Sequence, residues 1–137
     1  MGLYNVFKIA GSAMSAQSVR LNTVSSNLAN ANTLSSTPEG AYRARQPVFA
    51  SVLKAVNGGP SSVGVEVVSI VESQEKPQRE YQPGNPLADA DGYVYRSNVN
   101  PVEEMANMIS ASRSYQNSVE VLNTSKQLLL KTLMLGR

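Results

Sequence analysis

Apolar residues recur at alternating steps of three and four at both ends of the chain. The first stripe is Leu3, Phe7, Ala10, Met14, Gln17, Leu21, Val24, Leu28 and Ala31, with only Gln17 polar. The second is Met105, Met108, Ser112, Tyr115, Val119, Leu122, Lys126, Leu129 and Leu133, with Ser112 and Lys126 the exceptions. Such spacing places one residue per turn on a narrow seam, which is coiled-coil geometry. It predicts one helix from Leu3 to about Asn30 and a second from Pro101 to about Leu135. The first is rich in small residues (Gly11, Ser12, Ala13, Ser15, Ala16), which weaken helicity but let a neighbouring helix come close. The second has a clear start: Asn100 suits the cap, Pro101 the first helical position, and Glu103 the third, from where it can reach back to the cap. Glu103 and Glu104 complement the positive helix end, and Lys126, Lys131 and Arg137 the negative end. Its last turns, Leu128-Leu129-Leu130 to Met134-Leu135, are apolar on more than one face.

Between the helices the period changes. Asn30-Ala31-Asn32-Thr33 should end the first helix, and Ser35 to Gly40 reads as a loop. Tyr42 to about Val56 mixes β-formers with Pro47, which predicts an extended edge segment. Asn57 to Ser62 reads as a turn. Val63 to Val71 is the strongest strand in the chain and Arg79-Glu80-Tyr81 a weaker one. Pro83-Gly84-Asn85-Pro86 reads as a rigid turn, and Asp91-Gly92 before Tyr93-Val94-Tyr95 as a hairpin signal.

The expected fold class is α+β: long N- and C-terminal heptad helices packed together in coiled-coil fashion, with a small β-rich central insert. The expected divisions are an N-terminal helix over 1–33, a β-rich insert with loops over 34–98 and a C-terminal helix over 99–137, forming one structural unit. A single seam is marginal in water until its stripe is covered. The insert has few large apolar residues beyond Phe49, Ile70 and several valines, too few to cover two long helices. The seams therefore pair with each other in one chain or with other copies. The expectation is that the ends are poorly ordered in dilute monomer and order on assembly; strong amide protection of both ends in the monomer would count against it.

Composition narrows the chemistry. The chain of 137 residues has no cysteine, histidine or tryptophan. Thiolate sites and disulfides are excluded, and the commonest general base and metal ligand are both missing. Its 12 basic and 10 acidic residues leave a formal charge of +2. The basic residues are scattered, with no run that reads as a nucleic-acid patch. No apolar run approaches the roughly 20 residues that cross a bilayer. Met1 to Ala10 lacks the charged start and apolar core of a cleaved secretory signal. A cytoplasmic protein, or one exported without a cleaved signal, is expected.

Candidate sites resolve into structural features. Asp89-Ala90-Asp91-Gly92 resembles the start of a calcium loop, but the twelfth position is Asn100 where a glutamate is needed, so it reads as a turn. Gly59 to Gly64 has phosphate-loop spacing without the following Lys-Ser/Thr, and also reads as a turn. Glu103 and Glu104 point about 100° apart on a helix, which suits dipole complementation rather than a catalytic pair. Arg43 and Arg45 alternate with Tyr42 and Ala44 along a possible strand, as a solvated face or as partners of an intersubunit salt bridge. Asn123-Thr124-Ser125 fits the glycosylation sequon by chance, mid-helix. No catalytic, cofactor-binding or metal site is expected, and the chain is not read as an enzyme.

The stretch Asn27-Leu28-Ala29-Asn30-Ala31-Asn32-Thr33 at the end of a heptad helix resembles a motif of bacterial flagellar rod and hook proteins. The following Tyr42-Arg43 matches the Tyr-Arg segment of that family. The C-terminal helix from Glu104 to Gln116, including Arg113 and Tyr115, is similarly typical, with its continuation Val119 to Leu122. Within the family, Pro83 to Asp89 with Gly92-Tyr93-Val94, and the short length, resemble the proximal-rod members. The resemblance implies a structural subunit without cofactor, nucleic acid or small-molecule substrate. It implies export through the flagellar type III apparatus without a cleaved signal, and polymerisation in the periplasm with the terminal helices in the inner wall of a tube. It further implies partners among other copies, other rod subunits and the membrane ring, in a drive shaft passing torque to the hook. The assembly seams would then be Leu3, Phe7, Ala10, Met14, Leu21, Val24, Leu28 and Ala31, with Met105, Met108, Tyr115, Val119, Leu122, Leu129 and Leu133. A stand-alone helical-hairpin adaptor and another rod or hook paralogue remain the alternatives. On this reading Leu122→Asp spares monomer solubility and blocks assembly, and Gly11→Leu obstructs close helix approach.

Overall fold

The computed structural model describes residues 3–54 and 62–136. The order of elements is α1 (Leu3–Asn30), β1 (Leu34–Ser35), β2 (Arg45–Lys54), β3 (Ser62–Glu72), β4 (Gln78–Tyr81), β5 (Tyr93–Arg96) and α2 (Pro101–Leu135). This is the expected α+β layout of two long helices around a small β insert. The turn expected over Asn57 to Ser62, apart from Ser62 at the start of β3, and the first half of the Gly59–Gly64 segment lie outside the described residues.

Both helix ends follow from their capping chemistry. Asn30 Nδ2 donates to the Ser26 carbonyl at 2.8 Å and Thr33 Oγ1 to the Asn30 carbonyl at 2.7 Å, so polar side chains close the last turn of α1. At α2, Asn100 Oδ1 accepts from the amides of Val102 and Glu103 at 3.1 and 3.5 Å, with Pro101 at the first helical position. The expected return bond from Glu103 to the cap is not formed among the described residues; Glu103 is exposed instead.

The helices pack against each other within the chain. Asn27 meets Glu104, Arg20 meets Asn107, and a groove joins Ala13 to Asn117, so the two run antiparallel. Among the described elements, α1 is the one whose backbone packs closely against α2. β2 and β3 form a long antiparallel hairpin with a bulge at Val48/Phe49, laid along α1. A two-stranded ribbon is marginal alone, and α1 supplies its support: Ser12 Oγ accepts from the Val65 amide at 3.1 Å and donates to the Ile9 carbonyl at 2.8 Å. The strand expected over Val63–Val71 is thus β3, and the edge segment after Tyr42 is β2, with Pro47 tolerated in a ribbon whose outer edge is open.

The second sheet has the order β1-β5-β4, all antiparallel. β1 corrects the start of the loop expected over Ser35 to Gly40: Ser35, with Leu34 before it, is in a strand that pairs with Tyr95 and Arg96, and Ser97 N–H donates to the Thr33 carbonyl. β4 and β5 form a hairpin, but Asp91-Gly92 is not a two-residue turn between them. The connection covers 82–92 and folds around Asp89, whose Oδ1 accepts from the amides of Asp91 and Tyr93 and whose Oδ2 accepts from Tyr95 OH. Gly92 closes it at φ 83°, where an added Cβ would stand 3.0 Å from the Tyr81 ring. Arg79 lies 3.6 Å over the Tyr93 ring, which Tyr81 meets edge-on at 5.1 Å.

The Tyr93 amide above all holds the Asp89 carboxyl below its ordinary value of 3.8; burial, the next largest effect, opposes it, and the Tyr95 hydroxyl and Asp91 amide add to the lowering. A depressed folded-state pKa gives stability that is full above the unfolded value and is lost as pH falls through the folded one. Asp89→Ala is therefore expected to be less stable than the natural chain at neutral pH, with the gap closing below about pH 4. Urea titrations at several pH values check this, and a gap unchanged at about pH 2 would contradict it.

Candidate assembly site

The centre of the molecule is a polar junction built on Asn27. This side chain is fully buried, three residues before the end of α1. Its Nδ2 donates to the Arg45 carbonyl at 2.8 Å and to Glu104 Oε2 at 3.0 Å. Its Oδ1 accepts from the Arg45 amide at 2.9 Å and from Tyr42 OH at 3.0 Å. All four hydrogen-bonding capacities of one amide are used, and they join α1, the start of β2 and the first turn of α2. Burial, more than the neighbouring Glu104 and Glu72 carboxyls, raises the Tyr42 phenol above 10.0, while Arg45 opposes it; the hydroxyl stays a donor. Around the junction Ala31, Ala44 and Val99 form the apolar core with Tyr42 packed on it. Asn98 ties the approach to α2 by accepting from the Ala44 amide and donating to the Glu75 carbonyl.

Glu104 corrects the reading of the Glu103-Glu104 pair. Only Glu103 stands exposed at the helix start; Glu104 is 5% exposed and bonded to Asn27. Arg45 is likewise engaged within the chain, at 3.2 Å from Glu72 and over the Tyr42 ring. The other motif residues divide by place. Leu28, Arg43 and Tyr115 are half-buried, Asn30 and Thr33 close α1, and Asn32 and Arg113 are exposed.

The described members of the N-terminal stripe are all covered: Ala10, Val24 and Ala31 are buried, and Phe7, Met14, Gln17, Leu21 and Leu28 half-buried. The side chain of Leu3 lies outside the described residues. Gln17 Oε1 is buried without a hydrogen-bond partner among the described residues. The sequence did not separate a second face of α1, which meets the hairpin: Ser12 bonds β3, and Val19 and Thr23 border a cleft with Arg45, Ile70 and Glu72.

On α2 the face against α1 is rotated from the apolar stripe. Glu104, Ala111 and Ser125 are buried, and Met108, Tyr115, Ser118 and Leu122 half-buried. Within the chain Met108, Tyr115 and Leu122 therefore serve both rows. Val119 and Ser112 are half-buried, whereas Met105, Lys126, Leu129 and Leu133 are exposed. Small side chains allow backbones to approach, so the face is fully buried at Ala111 and Ser125, while the larger Met108, Tyr115 and Leu122 are only half-buried. Exposed on α2 are Val102, Met105, Ile109, Val121, Leu128, Leu129, Leu130, Leu133, Met134 and Leu135. The antiparallel register places residues after about 128 beyond the start of α1, and every residue from Lys126 to Gly136 is exposed.

No group of acidic residues able to hold a metal occurs among the described residues, and no described helix is long and apolar enough to cross a membrane. What the site offers is surface: an apolar helix end and flank that α1 leaves uncovered.

Two family models match the chain. That of the flagella basal body rod protein covers residues 7–34, and that of the flagellar basal body rod FlgEFG protein C-terminal covers residues 90–135. They fall on the two helices that pair. Among curated proteins, the chain is 53% identical over the whole of both chains to the flagellar basal-body rod protein FlgC of Escherichia coli O157:H7. It is 52% identical, again end to end, to FlgC of Salmonella typhimurium, and 33% identical over both full lengths to FlgC of Bacillus subtilis.

Proposed function

The chain belongs to the FlgC family of flagellar basal-body rod proteins, and from that premise we propose that it is a structural subunit of the proximal rod. It assembles with other rod components in the basal body. The observation that supports this reading best is α2, which buries Ala111 and Ser125 and leaves a row of large apolar residues, with Met105, Leu129 and Leu133 among them, uncovered. A helical-hairpin adaptor satisfied by its own α1–α2 pairing has no use for that exposed row.

In this reading copies of the chain join through the terminal helices, residues 1–33 and 99–137, while the β-rich insert, 34–98, faces neighbours and the whole moves as one structural unit. Met105, Val119, Leu129 and Leu133 contact other helices. Phe7, Met14, Leu21 and Leu28, half-covered in the single chain, complete their burial there. The subunit passes through the flagellar export apparatus without a cleaved signal, meets the membrane ring at its base, and transmits torque as part of a rigid shaft. It performs no catalysis. Immunogold labelling of isolated basal bodies tests the placement: label on the rod supports it, and label confined to the cytoplasm overturns it.

Gly11 gives a separate check. It is exposed, and a Cβ there meets nothing within 4 Å. Gly11→Leu should thus raise helix stability by about 0.5–1 kcal/mol in the free chain while reducing motility, because no described residue crowds that position and a neighbouring subunit does. Unchanged swimming would mean that no helix approaches it closely.

A further inference from the structure

We infer that the uncovered end of α2, Leu128 to Leu135, beds in the groove between α1 and α2 of a second copy. This inference rests on the rod-subunit reading and names the surfaces that meet. The groove has a volume of about 240 Å³ and is lined by Val6, Ile9, Ala10 and Ala13 from α1 and by Asn117, Ser118 and Val121 from α2. Its small side chains leave a trough that large apolar knobs fill. The α2 end supplies them: Leu133 is 61% and Leu135 87% exposed. Both parts extend about 10 Å along a helix, from Val6 to Ala13 and from Leu128 to Leu135.

A chain cannot satisfy its own groove. Val121 and Leu133 lie about 18 Å apart on one continuous helix. Two α2 ends meeting each other is disfavoured by charge. From Val121 onward α2 carries Lys126 and Lys131 and no acidic residue, so such a pair sets basic against basic. Beside the groove, α2 carries the exposed Glu120 on the turn between Asn117 and Val121, available to the lysines of an incoming end, while Lys8 stands on the α1 side. Groove and end are different surfaces, so copies that seat them head to tail, rather than by reciprocal exchange, make a heterologous contact that continues from each to the next.

The absence of native cysteine makes disulfide trapping a direct test. Full-length Val121→Cys and Leu133→Cys chains are produced together in a strain lacking the natural copy, and basal bodies are oxidised. We expect a linked pair at least tenfold more abundant than for Leu133→Cys with Asn123→Cys, an exposed position off the groove. The chain carrying both Val121→Cys and Leu133→Cys should give a ladder beyond the dimer. Motility without the Val121–Leu133 link, or a link between two Leu133→Cys chains alone, overturns the pairing while leaving the rod reading intact. Absence of the unsubstituted chain from basal bodies overturns the rod reading itself.

Discussion

Asn27→Ala should lower the unfolding free energy by about 3–5 kcal/mol, the largest loss expected from any single side chain here. The substitution strands the amide and carbonyl of Arg45, the Tyr42 hydroxyl and the buried Glu104 carboxyl together. Each buried group left without a partner costs about 1–3 kcal/mol, and partial relaxation keeps the total below their sum. Urea titration followed by helical circular dichroism measures it. Asn27→Asp keeps the volume but removes the donor to Glu104 and brings two carboxyls together. It should be at least as damaging at neutral pH, and Glu104→Gln in that background should recover part of the loss. A cost under about 1 kcal/mol for Asn27→Ala would mean that water satisfies these groups and that the junction does not hold the elements together.

Leu133→Asp should abolish motility while changing the stability of the free chain by less than about 0.5 kcal/mol. Leu133 is 61% exposed and stands beyond the reach of α1, so its charge meets water in the monomer and apolar surface only in the assembly. Leu122→Asp does not separate these effects, contrary to the sequence expectation. Leu122 is half-buried on the face toward α1, and an aspartate there destabilises the single chain as well. Denaturation of the purified Leu133→Asp chain and swimming of the complemented strain provide the two readings. Normal swimming would remove the end of α2 from the assembly surface.

Much of the frame was legible because it depends on local rules. The period of the two stripes and the Asn100-Pro101 start place both helices, and the valine-rich run places β3. The rotation of the α2 face was not legible. Periodicity identifies the most apolar row, whereas packing against α1 is decided by how closely two backbones approach, which favours Ala111, Ser118 and Ser125. The junction was half legible. Tyr42 and Asn27 belong to the stretches that resemble the flagellar family, but Glu104 was hidden because a glutamate in the first helical turn has a sufficient local explanation. Its burial depends on an amide 77 residues away in sequence. The docking of the hairpin was hidden for the same reason. Ser12 looked like one small residue among several, and only the tertiary fold turns it into the acceptor for β3. A signal did exist for Asn27: a residue whose side chain competes for backbone bonds is poorly placed within a helix unless its amide is engaged elsewhere.

This division bears on function. Bonds inside the chain hold the centre, where α1, β2 and α2 meet at Asn27, while the end of α2 has no partner among the described residues. Pairing of α1 with α2 confines the disorder expected of the free subunit to that end. Amides beyond about residue 128 should exchange freely in the monomer, and those near Asn27 slowly. A shaft needs both properties: a subunit stiff enough to transmit torque, and surfaces that are satisfied only by the next subunit.

Deletion of the gene in its source bacterium, with complementation in trans and electron cryotomography of basal bodies, tests the central claim most directly. Membrane rings without rod, hook or filament, restored by the complementing copy, are the predicted result. Intact, motile flagella in the deletion strain would contradict it.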